Sequence, residues 1–264
     1  MKSYNYYIPA RNQTTHSNNQ SLQNVNKEKN YRDIYYLIFD QYSRNDMLKK
    51  YYNHNNDYFT DYLVNKGFYV ADNSYANYPH TVQSITSSLN MKYLNYLSNN
   101  DVSKNNDPYI YYNLIENNQV IKFLKTHNYK YTHFGSEAAA THSNDNADVN
   151  YTIYSFSNNL GTLLSIIYKQ SIISPVIIRL LKKDIIQDKL VKSVRQLKYE
   201  ANLYKLNKLA DIADDPYPKF VFMHLLIPHA PFVFDQDGTY VTLIEEKSKS
   251  RQANYINQVK FLNK

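Results

Sequence analysis

Four side chains stand where chemistry could be done. Asp40 closes the apolar run Ile34-Tyr35-Tyr36-Leu37-Ile38-Phe39. An ionised carboxylate at the end of such a run needs a partner, because burying it alone is costly. A metal ion is one such partner, and the amides of the following helix, capped by Asp40, are another. Thr81 follows Tyr78-Pro79-His80 at the start of an apolar-periodic stretch. A hydroxyl there can act as a nucleophile if a metal or base activates it, can face a phosphate held at the helix terminus, or can simply cap the helix. Ser84, Thr86, Ser87 and Ser88 lie further along and are weaker candidates. His80 adjoins Thr81 but cannot serve as its base, because neighbouring helical residues do not face each other. His224 and His229 flank Leu225-Leu226-Ile227-Pro228. His224 falls inside an apolar strand and reads as a hydrogen-bonded core histidine. His229, at the strand's exit, can donate to a phosphate oxygen or assist proton transfer.

The elements that must position these groups follow from hydrophobic patterning. Ile34 to Phe39 reads as a short strand buried on both faces of a parallel sheet. Residues 44–66 read as one helix, with Met47, Leu48, Tyr51, Phe59 and Leu63 at helical spacing, stopped by Gly67. Phe68 to Ala71 reads as a second strand. A loop through Pro79 then leads to a helix over Thr81 to Tyr96, whose Val82, Ile85, Leu89 and Tyr93 share a face. A further helix over about 109–127 precedes a third strand, Tyr129 to Phe134, and 136–150 reads as loop. About 158–212 reads as helices broken near Ser174-Pro175, and Asp214-Asp215-Pro216 ends them. Lys219 to Ile227 is a very apolar strand. This alternation predicts an α/β fold, an open, mostly parallel sheet with helices on both faces. Ligands of such sheets bind at the carboxyl ends of the strands, where Asp40 and His229 both fall.

Composition narrows the class. The chain has 264 residues, 43% hydrophobic and 20% charged, enough for a sizeable core. It has no cysteine, which excludes a disulfide scaffold, a zinc-thiolate site and a Cys nucleophile. Residues 1–30, rich in Asn, Gln and Ser, read as a disordered polar arm. No signal peptide and no run long enough to span a bilayer is visible. The formal charge is +7. Between Ser165 and Lys208 stand ten Lys and Arg against Asp184, Asp188 and Glu200, so this segment alone holds the excess of seven. The rest is balanced, unlike a globally basic nucleic-acid binder, and no nucleic-acid partner is expected. The basic block could lie against anionic lipid head groups, or it could be a helical insertion packed on the sheet with a solvated lysine face.

Taken together, Asp33–Asp40 (DIYYLIFD), Gly67–Asn90 (GFYVADNSYANYPHTVQSITSSLN), Lys219–Gly238 (KFVFMHLLIPHAPFVFDQDG) and Tyr255–Asn263 (YINQVKFLN) resemble, in order, the sulfatase-like branch of the alkaline phosphatase superfamily. The resemblance implies that Asp40 binds one divalent metal ion (Zn, Mn, Mg or Ca), that Thr81 is the nucleophile and also touches the metal, and that His229 contacts the anionic group of an ester substrate. The His224-to-His229 spacing resembles that of phosphoethanolamine transferases, which places His224 with His229 in substrate binding. A threonine nucleophile is closer to phosphoethanolamine and glycerol-phosphate transferases than to true sulfatases, whose Cys/Ser-x-Pro-x-Arg segment is missing. The implied reaction is hydrolysis or transfer on a phosphodiester or sulfate ester, with lipid-linked substrates among those the resemblance implies, in a membrane-associated, extracytoplasmic setting. The family's second ligand pair sits in an Asp-His-Gly segment, and no Asp-His pair occurs here. The sequence therefore reads as an N-terminal portion, a partial domain over 31–264 with a basic helical insertion at about 158–212, incomplete at its C-terminus and expected to be inactive alone. The competing expectation is a non-catalytic remnant, or a membrane-surface or polyanion-binding domain that keeps the fold without a complete metal site.

Overall fold

A computed structural model describes residues 31–97, 108–152 and 183–264 of the chain, with the backbone alone for 183–193. The polar arm, the break near Ser174-Pro175 and the first part of the basic block lie outside the described residues. Two compact units are present. The first holds residues 31–37, 77–97, 108–152 and 211–223, and the second 38–76, 183–210 and 224–264.

The fold is α/β. Four parallel strands, β1 (Ile34–Phe39), β2 (Lys130–Phe134), β3 (Val149–Tyr151) and β4 (Lys219–Leu225), form a sheet in the order β1-β4-β2-β3. Each parallel step needs a crossover, and the connections carry the helices. These are α1 (Asn45–Tyr52), α2 (Asp57–Asn65), α3 (Thr81–Leu89), α4 (Tyr109–Glu116) and α5 (Gln119–Thr126) between β1 and β2. Then come α6 (Lys183–Asp211) between β3 and β4, and α7 (Leu243–Ser248) and α8 (Arg251–Leu262) after β4. None of these helices is long and apolar enough to cross a membrane.

In the first unit, β4 is the buried strand. All its residues, Lys219 included, are shielded, as expected for a strand paired on both sides. Register aligns Tyr131 with Phe220 and His133 with Phe222, and each pair stacks, at ring-centroid distances of 5.4 and 5.2 Å. Such cross-strand aromatic pairs fix register as well as burying area. The Lys219 ammonium is neutralised by Asp33 at 2.7 Å and donates to the carbonyls of Ala213 and Asp215. β1 departs from the expectation of a strand buried on both faces. It sits at the sheet edge among the described residues, and Ile34 and Tyr35 are more than a third exposed.

The helix boundaries also differ from the patterning. Residues 44–66 form two helices, because Asn53 closes α1 in the left-handed conformation (φ 49°) that asparagine tolerates. Phe68 to Ala71 is not a strand. Phe68 and Tyr69 are exposed and pair with no neighbouring strand, and four apolar residues carry no period with which to tell a strand from a loop. α3 ends at Leu89, where the Asn90 side chain donates to the Thr86 and Leu114 carbonyls. The stretch 109–127 breaks at Asn117-Asn118, and Asn118 caps α5 by accepting the Ile121 amide. β3 lies in the stretch expected to be loop, too short and polar to carry a strand signal.

The second unit packs α1 and α8 around Leu48, Phe232, Tyr255 and Val259, all nearly inaccessible. The Tyr52 and Tyr255 rings lie 4.5 Å apart over this cluster.

Candidate functional site

Asp40 directly follows β1 and is half-buried. Its amide donates to the carbonyl of Leu225, the last residue of β4, at 2.9 Å. That bond ties the aspartate to the point where the chain leaves β4 for the segment containing His229. Asp40 does not cap the next helix, because Arg44 occupies that position. The chain reverses at once. Tyr42 donates to the Phe39 carbonyl, and Gln41, the third residue of the turn, takes φ 67°.

His224 lies inside β4 and is buried, with 1% of its surface exposed. His229 lies beyond the strand, half-buried, between the cis peptides preceding Pro228 and Pro231. Its Nδ1 faces the Ala230 carbonyl. A carbonyl only accepts, so geometry assigns the proton to Nδ1 and leaves Nε2 as the basic nitrogen of the neutral ring.

This segment lies outside the parallel sheet, and although Phe234 and Tyr240 bridge within it, several of its carbonyls are satisfied by one helix. On α6, Lys198 donates through Nζ to His229 O at 2.9 Å and Pro231 O at 3.1 Å. Arg195 donates to Phe232 O at 2.8 Å and Val241 O at 2.9 Å, and it pairs with Glu246. Tyr199 donates to Gly238 O at 2.9 Å. Positions 195, 198 and 199 share a helical face by their three- and four-residue spacing. Arg195, Lys198 and Lys205 are all buried. These three members of the basic block therefore face inward, not into solvent as a lysine face would. The spacing was legible in the sequence. The inward direction was not, because lysine and arginine bury readily only when their charge meets carbonyls or a carboxylate.

Thr81 belongs to the first unit. It is the first residue of α3 and is exposed, while His80 holds the N-cap position without a side-chain cap bond. The capping role considered for Thr81 is therefore not the one it has. Thr86 and Ser87 are buried and give their hydroxyl protons to the carbonyls of Val82 and Lys92. They are committed to structure inside the helix, whereas Thr81 is exposed at its start. The structure thus brings Asp40 to the end of β4, and with it His224 and the His229 segment in one unit, and it sets Thr81 at a helix start in the other.

No family model, no curated protein and no solved structure matches the chain. The site is therefore read from its own chemistry. Among the described residues, no group of three or more His, Asp or Glu is placed to hold a metal ion. Asp40 and Thr81 offer one carboxylate and one hydroxyl. Those hard oxygens suit Mg, Mn, Ca or Zn, but they are fewer than the four or more ligands such ions take.

Proposed function

We propose that this chain carries the nucleophile and first metal donor of a sulfatase-like hydrolase or transferase acting on phosphodiester or sulfate ester substrates. The observation that carries the reading is Asp40, at the carboxyl end of a parallel strand and bonded to the end of β4, whose exit leads to His229. In this reading Thr81 Oγ attacks phosphorus, the bond to the leaving alcohol breaks, and the Thr81 proton passes to solvent or to the departing oxygen. His229 donates to a non-bridging oxygen once its Nε2 has taken up a proton, and His224 precedes it in the chain, inside β4. A divalent ion would be held by Asp40 and Thr81 together with donors that these two do not supply. When bound, it would polarise the ester and lower the hydroxyl's pKa. Membrane association and an extracytoplasmic setting belong to the same reading.

A second reading, a domain that keeps this fold without chemistry, rests on the sequence, in which no Asp-His pair occurs. Hydrolysis of bis(p-nitrophenyl) phosphate by the full-length gene product, with Mn or Zn added, separates the two. The first reading expects Thr81→Ala and Asp40→Asn each to lower the rate at least ~100-fold, the scale for losing an activated nucleophile or its metal. A wild-type rate in Thr81→Ala removes the first reading. A folded wild-type protein without activity supports the second.

A further inference from the structure

A cavity opens in the second unit at the turn that follows Asp40. Its volume is about 540 Å3, within the range of small-molecule sites. The floor is rigid. Phe232 and Tyr255 are buried, Tyr52 packs on Tyr255, and the Tyr255 hydroxyl donates to Gln41 O at 2.8 Å and lies 3.1 Å from Ser43 Oγ. The rim is different in kind. Gln41, Tyr51, Arg251 and Gln252 are exposed and line the opening. No acidic residue lines it. Arg251 forms no ion pair among the described residues, and the Lys50 ammonium lies 5.0 Å from the centre of the Tyr51 ring. One cation, two amides and aromatic walls, with no carboxylate in the lining, make a pocket suited to an anion with a flat apolar side.

Gln41 adds an independent observation. At φ 67° it stands where a turn ordinarily uses glycine or asparagine. If the turn served only to reverse the chain, glycine would do so without strain. Residues kept in such conformations at a cost cluster at ligand sites, and this one lines the cavity.

We propose that this pocket binds a small organic oxyanion, a phosphate monoester or carboxylate on an aromatic or hydroxylated body. Arg251 takes the anion, the Gln41 and Gln252 amides take neighbouring oxygens, and Tyr51 and Tyr52 hold the body. Guanidinium is the group suited to bidentate oxyanion recognition. The assignment stands whether or not Thr81 is a nucleophile.

The test is a ligand-observed NMR titration of the full-length protein in EDTA with phenyl phosphate, phenol and inorganic phosphate. EDTA removes any metal-borne anion site. Phenyl phosphate is expected to bind at least about five-fold tighter than either part alone, and Arg251→Gln to remove that advantage while Arg251→Lys keeps some of it. Gln41→Gly is expected to fold with an unchanged or higher Tm and yet bind at least about three-fold more weakly. Thr81→Ala is expected to bind phenyl phosphate like wild type, which keeps this test separate from that of the proposed reaction. Phenol binding as tightly as phenyl phosphate, wild-type affinity in Arg251→Gln, or no saturable binding would overturn the proposal. A lower Tm in Gln41→Gly would overturn the argument from strain.

Discussion

His54 shows how a single residue couples this fold to pH. Its Nε2 is buried and meets no hydrogen-bond partner among the described residues. Burial first, and the Lys260 ammonium second, hold its pKa below the ordinary histidine range. The unfolded chain therefore takes up the proton before the folded one does. Stability is flat above about pH 6.5 and falls as pH drops through that value toward the folded pKa. Denaturation midpoints at pH 7.5 and 5.5 should differ in the wild type and converge in His54→Gln, whose amide carries no charge. An unchanged pH slope in the variant would show that another group is responsible. Asp57 and Asp235 act in a separate window. Bonds from Lys49 and Lys249 hold their carboxyls below the usual range, so their contribution is lost only below about pH 4.

At the scale of elements, α6 matters most, because it holds the segment after β4 in place through its buried cations. Arg195 pairs with Glu246 and satisfies two carbonyls, so removing it leaves a half-buried carboxylate and bare acceptors. Arg195→Met should destabilise the protein by about 3 kcal/mol, the cost of breaking a buried pair. Lys198→Met should cost about 1–2 kcal/mol, since it strips hydrogen bonds from the carbonyls of His229 and Pro231. Urea unfolding measures both, and losses below ~0.5 kcal/mol would mean that the loop is held by packing alone. Sequence patterning made β1, β2 and β4 legible, because continuous apolar runs admit few arrangements. It misjudged what short polar residues do. Asn53, Asn90 and Asn118 each end or start a helix by bonding backbone groups, and neither hydrophobic period nor composition shows which asparagine will do so. It also placed β1 in the interior, since an edge strand reads the same as a central one until the strand order is known.

Over the whole molecule, the charge excess and the chemistry are distributed differently than a residue count suggests. Ten cations against three acids between 165 and 208 look like an outer basic surface, yet Arg195, Lys198 and Lys205 are spent internally. Asp40, Thr81 and His229 were legible in the sequence as groups at a strand's exit or the start of a helix, and His224 as a histidine inside a strand, and the structure puts them at such places. The Asp-His pair that the sequence lacks is the point on which the catalytic and non-catalytic readings divide. Intact-protein and peptide mass spectrometry of the full-length gene product, quenched in acid during turnover of a phosphodiester with Mn or Zn present, tests the central claim most directly. The account predicts a phosphoryl-ester adduct on the peptide containing Thr81, absent in Thr81→Ala. Turnover without any adduct at Thr81, or the same adduct in Thr81→Ala, would contradict it.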